Sequence, residues 1–138
     1  MFMNRGLFTS ARGDWKTPKA VYQTLDAEFG FDYDPCPTNP TKDGLATEWG
    51  KVNFVNPPYG REIGKWIKKG YDEAEKGKTV VFLIPSRTDT KWWHEYIMKA
   101  TEIRFIKGRL KFDDQENPAP FPSCIAIFEA TNTLEVKE

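Results

Sequence analysis

Asn56, Pro57, Pro58 and Tyr59 stand directly after the apolar stretch Val52-Asn53-Phe54-Val55. Their types suit one chemistry, the activation of a planar amine as a nucleophile. The amino group on a purine such as adenine is a poor nucleophile because its lone pair is delocalised into the ring. Two acceptors aimed at its two N–H bonds favour a pyramidal nitrogen and localise that pair. The Asn56 side-chain oxygen can be one acceptor and the Pro57 carbonyl the other. Pro58 restricts Pro57 to extended backbone, and the two rings keep that carbonyl in aim. Tyr59 offers a flat face on which a base taken out of a duplex can stack. With two prolines before it, its ring is expected to be presented rather than buried. The plainer alternative is a Pro-Pro turn that ends a strand, with Asn as a turn residue.

Other candidates are spread along the chain. Asp34 precedes Pro35 and Cys36 after an alternating apolar-acidic run, and Asp43 precedes Gly44. Either aspartate can be a turn residue or a ligand for a group rich in hydrogen-bond donors. Arg87, Lys91, Lys107 and Arg109 flank expected strand ends, where they meet either phosphates or solvent. Trp92 and Trp93 read as a helix face packed on a sheet rather than as base-stacking residues. His94, the one histidine, is not expected to be catalytic, because a neutral amine loses its proton only after attack. Cys36 reads as a small loop residue rather than a nucleophile.

The elements that must hold these residues follow from periodicity and stop signals. Thr17-Pro18 reads as a helix start, Thr as cap and Pro in the first turn. Val21, Tyr22, Leu25 and Phe29 form the helix stripe, and Gly30 ends it. Phe31–Asp34 reads as a short strand halted by Pro35, and residues 35–51 mostly as loop. Val52–Val55 is a strand. Ile63, Trp66, Ile67, Tyr71 and Ala74 have helical spacing, closed by Gly77. Thr79–Ile84 is a continuous apolar run, expected to be a strand buried on both faces. Asp89 is expected to cap a helix to Lys99. Glu102–Phe112 and Ser123–Phe128 read as strands joined by a Pro-rich loop. Alternating strands and helices followed by a strand pair predict an α/β fold: a mostly parallel sheet with an antiparallel edge. One domain over 14–130 is expected, with a flexible tail at 1–13 and another at 131–138.

The 138 residues carry 20 Lys/Arg and 20 Asp/Glu, so net charge gives no sign of a nucleic-acid partner. The distribution does: the stretch from Arg61 to Lys111 is strongly basic and the remainder acidic, enough for a basic face on a neutral protein. Two cysteines and one histidine point to neither a disulfide framework nor a metal site. No apolar run approaches a membrane span, and residues 1–12 lack a secretory apolar core. A cytoplasmic protein is expected.

Seven segments together carry a resemblance: Trp15-Lys16-Thr17-Pro18, Asp34-Pro35-Cys36, Asp43-Gly44-Leu45, Phe54-Val55-Asn56-Pro57-Pro58-Tyr59-Gly60, Ile84-Pro85-Ser86-Arg87-Thr88-Asp89-Thr90-Lys91-Trp92-Trp93, Gly108-Arg109-Leu110-Lys111-Phe112 and Ala119-Pro120-Phe121-Pro122-Ser123. Across about Trp15 to Phe128 the chain resembles the phage-type DNA N6-adenine methyltransferases, within the class-I S-adenosylmethionine-dependent methyltransferases. The resemblance implies an abbreviated Rossmann-like sheet, S-adenosylmethionine as methyl donor (S-adenosylhomocysteine as product), and DNA as partner with the target adenine flipped out. It implies that Trp15, Thr17 and Pro18 lie by the methionine part of the cofactor. Asp34, Pro35 and Cys36 would replace the usual glycine-rich loop, and Asp43 would accept from the cofactor adenine. Asn56, Pro57, Pro58 and Tyr59 would bind the target adenine, with Phe121 and Pro122 on its far side. For a phage-encoded enzyme the compartment would be the bacterial host's cytoplasm. The chain departs from the wider class in having no Gly-x-Gly after Asp34-Pro35 and only six residues between Cys36 and Asp43. It also shows no separate target-recognition domain.

Two rivals remain at the level of sequence. The Asn-Pro-Pro-Tyr logic serves a methyltransferase acting on RNA adenine or on a protein amide equally well. The missing glycine loop also fits a non-catalytic nucleic-acid-binding relative.

Overall fold

The computed structural model describes residues 15–130. The two expected tails, 1–13 and 131–138, lie outside the described residues. Four strands form one sheet: β1 (Val52–Val55), β2 (Thr79–Pro85), β3 (Glu102–Phe105) and β4 (Ser123–Phe128), in the spatial order β1-β2-β4-β3. Three helices accompany them: α1 (Lys19–Phe29), α2 (Ile63–Glu75) and the short α3 (Lys91–Glu95), followed by a 3₁₀ turn at Ile97–Lys99.

The sheet corrects the expected topology. β1 pairs parallel with β2, but β4 pairs antiparallel with both β2 and β3. Most of the pairing is therefore antiparallel, and the reversed strand is interior rather than at the edge. The physical reason is its side chains. Ser123-Cys124-Ile125-Ala126-Ile127-Phe128 is buried at every position, so β4 needs a strand on each side and a layer on each face. β3 is less apolar, with Glu102 and Phe105 exposed, and takes the edge.

Residues directly paired across a ladder share a face. Phe54, Val81, Ile127 and Ile125 thus lie on one face, which α1 covers: Tyr22 meets Phe54 edge-on at 5.2 Å. Val55, Phe82, Ala126 and Phe128 lie on the other, against α2. A Cβ at Gly70 would stand 2.2 Å from Phe82 Cζ, so glycine sets how closely α2 approaches the sheet.

Several expected boundaries shift. The run Phe31–Asp34 contributes only a parallel bridge, Tyr33 to Asn53. The Asp32 carboxylate accepts from the N–H groups of Lys51 and Val52, which displaces a regular ladder there. The strand expected to reach Phe112 stops at Phe105; Gly108, at φ +77°, turns the chain away. α3 is capped by Thr90, whose hydroxyl accepts from Trp93 N at 3.2 Å, not by Asp89. Thr17 does not cap α1. Its side chain is turned to the site, and the Asp113 carboxylate, 94 residues away in sequence, accepts from Lys19 N at 3.0 Å instead.

The loop 44–51 is held by a buried carboxylate. Glu73, 1% exposed, accepts from Lys69, Lys76 and Lys78 and from Trp49 N. Burial alone would raise its pKa. The three ammonium groups and the amide overcome that and bring it from 4.5 to about 2. A depressed folded pKa means stability that is fully present above the unfolded value and lost as pH falls toward the folded one. A shift of this size is worth about 3 kcal/mol. Denaturant unfolding at neutral pH and at about pH 3 is expected to show a larger acid loss for the wild type than for Glu73→Gln. Equal losses would show that Glu73 is not the group responsible.

Candidate active site at the carboxyl edge of the sheet

β1, β2 and β3 run in one direction and β4 in the other, so the start of β4 meets the ends of the others. Pro85 pairs with Ser123, and Phe105 with Cys124. The reversal of β4 therefore brings Phe121 and Pro122 to the edge where β1 delivers Asn56 and β2 delivers Arg87. Pro122 O accepts from Ser86 N at 2.9 Å and ties the two segments together. The carboxyl ends of strands are where α/β sheets place ligands.

Asn56 is half-buried, and its amide is fixed from one side. Nδ2 donates to the Trp15 carbonyl and to Thr17 Oγ1, the latter at 2.9 Å. Its oxygen, Oδ1, is buried with no hydrogen-bond partner among the described residues. A carbonyl can only accept, so the NH2 end must face Trp15 and the oxygen must face away. Buried acceptors without donors are rare, and this one stands where the sequence places an acceptor for an amine. Pro57 beside it is buried and Pro58 half-buried.

Tyr59 corrects an expectation. Its ring is 7% exposed rather than presented. It meets Phe112 and Phe121 edge-on at 6.2 and 5.6 Å, and its hydroxyl donates to Leu83 O at 3.0 Å. β1 ends at Val55, paired with Phe82, so the Tyr59 hydroxyl provides a donor to β2 just beyond that point. The aromatic preference for tight edge-to-face contacts draws the ring inward. Trp15 joins the same cluster, edge-on to Phe112 at 5.4 Å and to Phe121 at 5.2 Å.

The Trp15–Pro18 strap that holds Asn56 is itself pinned. Lys16 N donates to Asp114 Oδ1, Asp113 N to Lys16 O, and Lys19 N to Asp113 Oδ2. Phe112, fully buried, sits between these bonds and the aromatic cluster. Sequence reading assigned Phe112 and Asp113 no role. The available signal was an apolar residue closing Gly108-Arg109-Leu110-Lys111-Phe112 before a pair of aspartates.

The second group of candidates lies beside β1. The bridge at Tyr33 carries Asp34, Pro35 and Cys36 to the same edge. The Asp34 carboxyl is raised above its ordinary value by burial, partly offset by the Cys36 N–H that donates to it at 2.9 Å. Gly44 packs directly on the Pro35 carbonyl, where any Cβ would clash, so the Asp43-Gly44-Leu45 turn lies against this loop. Asp43 itself is exposed and accepts from Leu45 N at 2.9 Å, the arrangement of a turn residue.

Arg87, Lys107 and Arg109 are exposed and form no salt bridge among the described residues, while Lys91 faces Glu95 at 3.8 Å. The Arg87 guanidinium lies 5.7 Å from the centre of the Phe121 ring. Most other cations of the basic stretch are ion-paired, such as Lys68 with Asp72 and Arg104 with Glu28. Trp93 is buried and Trp92 half-buried, as expected of a packing face. His94 Nε2 lies 2.7 Å from Thr88 O, on the exposed side of α3.

Residues 6–126 match the family model for the DNA N-6-adenine-methyltransferases (Dam). The chain belongs to this family. Two relatives carry the name DNA N-6-adenine-methyltransferase. One, from Escherichia phage T1, is 29% identical over 121 residues, covering 78% of this chain and 50% of its own length. The other, from Haemophilus phage HP1 (strain HP1c1), is 28% identical over 137 residues, covering 83% of this chain and 78% of its own. The chain thus spans about half the length of the phage T1 relative. Membership of the Dam family implies a methyl donor. No helix among the described residues is long and apolar enough to cross a membrane.

The residues at this edge fit a donor-rich ligand. Among the described residues Asn56 Oδ1 has no partner, and the Asp34 carboxyl is raised by burial and offset by the Cys36 N–H. Both are groups to which such a ligand can donate.

Proposed function

We propose that this chain transfers a methyl group from S-adenosylmethionine to N6 of adenine in DNA. The observation that carries the proposal is the Asn56 amide, tied by its nitrogen to Trp15 and Thr17 and left with a buried oxygen that has no partner among the described residues. Asn56 Oδ1 accepts one N–H of the target amine and the Pro57 carbonyl accepts the other. The amine then directs its lone pair away from both. Fixed acceptors cost no reorganisation when charge develops on the nitrogen, and the edge contributes proximity and alignment.

S-adenosylmethionine supplies a methyl group on a positively charged sulfonium. Asp34, Pro35 and Cys36 hold it beside β1, with the Asp34 carboxylate taking its donors. Trp15, Thr17 and Pro18 flank its methionine part, with the Thr17 hydroxyl accepting from Asn56. The Asp43 turn borders the adenosyl end. The target adenine leaves the duplex and enters beside Pro57 and Pro58, bordered by Phe121 and Pro122. Tyr59 braces this loop from below. The reaction belongs in the bacterial host's cytoplasm.

Arg87, Lys91, Lys107 and Arg109 meet the DNA backbone. DNA binding is expected to weaken steeply with salt. Each phosphate contact removed should reduce the slope of log K against log salt by about 0.9 on duplex DNA. Arg87→Ala with Arg109→Ala should therefore flatten it by nearly two. A double variant with the wild-type slope would make both residues merely solvated.

Transfer of a tritiated methyl group from S-adenosylmethionine to DNA, RNA and protein tests the function itself. Label on DNA adenine is the expected result. Label on RNA or protein alone, or none with any substrate, overturns the reading.

A further inference from the structure

We propose that Thr17 is a positioning residue for methyl transfer: with the Trp15 carbonyl, its hydroxyl holds the Asn56 amide in the one orientation that turns Oδ1 toward the reacting amine. The proposal rests on the reading of Asn56 given above.

The amide of Asn56 has two near-isosteric ends, and only one of them can accept. Rotated by half a turn, it would present NH2 to an amine that needs an acceptor. The wrong end would also set Oδ1 against the lone pairs of the Trp15 carbonyl. The observed arrangement uses both N–H bonds of Nδ2, one for Trp15 O and one for Thr17 Oγ1 at 2.9 Å. The second bond stops the amide from tilting about the first. Thr17 can do this because the strap carrying it is pinned by Asp113 and Asp114. It makes no bond to α1, whose N-cap position is taken by Pro18 and whose Lys19 N–H donates to Asp113. A threonine that bonds a half-buried asparagine and no amide of the adjacent helix is placed by the site, not by the helix. The same arrangement accounts for the residue type at position 56. A carboxylate there would face the Trp15 carbonyl with no proton to offer it.

The test compares Thr17→Val, which keeps the shape and removes the acceptor, with Thr17→Ser, which keeps it. Turnover at saturating S-adenosylmethionine and DNA is measured with the calorimetric affinity for S-adenosylhomocysteine and the melting temperature. Thr17→Val is expected to lower kcat about 10- to 100-fold, the scale of a misplaced reacting group. S-adenosylhomocysteine affinity should stay within about threefold, since the loss lies in kcat rather than in binding. Thr17→Ser should restore kcat to within a few-fold. Added to Asn56→Ala, Thr17→Val should cost nothing further, because residues acting through one another are not additive. Thr17→Ala replaces the valine variant if the latter melts early. Wild-type kcat in Thr17→Val, with Asn56→Ala inactive, overturns the proposal and leaves the role of Asn56 standing. A variant that loses S-adenosylhomocysteine affinity while keeping kcat at saturation also overturns it, making Thr17 a cofactor ligand alone. An active Asn56→Ala overturns the reading of Asn56 and this proposal with it.

Discussion

Asn56→Ala is expected to lower kcat about a hundred- to a thousand-fold, the loss seen when one preorganised group facing developing charge is removed. The substitution deletes Oδ1, which has no partner among the described residues, and on the proposed reading leaves the Pro57 carbonyl as the remaining acceptor. It also frees the Trp15 carbonyl and the Thr17 hydroxyl, but these lie near the surface of a half-buried strap, where water can replace the amide. Folding should therefore change little. S-adenosylhomocysteine affinity, measured by calorimetry, should stay near the wild-type value. Single-turnover methylation with excess enzyme would separate the chemical step from product release. Turnover within a few-fold of wild type would remove Asn56 from the transfer step.

Tyr59→Ala is expected to lose folding stability as well as activity, and the stability loss should be the larger signature. The ring is 7% exposed and contacts Phe112 and Phe121, with its hydroxyl on Leu83 O. Truncating a buried aromatic costs about 3–5 kcal/mol. In a domain of this size that should lower Tm by more than about 10 °C. Tyr59→Phe removes only the hydroxyl and leaves Leu83 O without that donor, at about 1–3 kcal/mol. Thermal melts and kinetics on both variants decide between packing and stacking. A Tyr59→Ala protein that melts with the wild type, yet loses turnover, would mean the ring serves the base and not the core.

Phage-type resemblance, the carboxyl-end position of Asn56 and the elements around it were legible because they are local. The strand Ser123–Phe128 and the helix end at Gly30 fall where the sequence puts them. An unbroken apolar run has few alternatives, and glycine at positive φ stops a helix. The shortened β3 and the lost strand at Phe31–Asp34 were not legible, because distant or side-chain groups compete there with the backbone ladder. Asp32 takes amides that a strand would have used.

The sequence by itself determined which groups are available: an asparagine before two rigid prolines, a half-apolar loop with Asp34, and cations gathered between Arg61 and Lys111. Tertiary structure alone decided which of them act together. It set β4 between β2 and β3 and so carried Phe121 to the edge that holds Asn56. It drew Tyr59 inward, because two aromatic residues far away in sequence, Phe112 and Phe121, close on its ring. It also made Thr17, expected as a helix cap, a partner of Asn56: the helix starts one residue later, after Pro18, and Asp113 takes its Lys19 N–H from the far end of the chain. Periodicity reports a residue's preference for water or core. The direction in which a hydrogen-bonding atom points depends on which distant segment arrives to meet it.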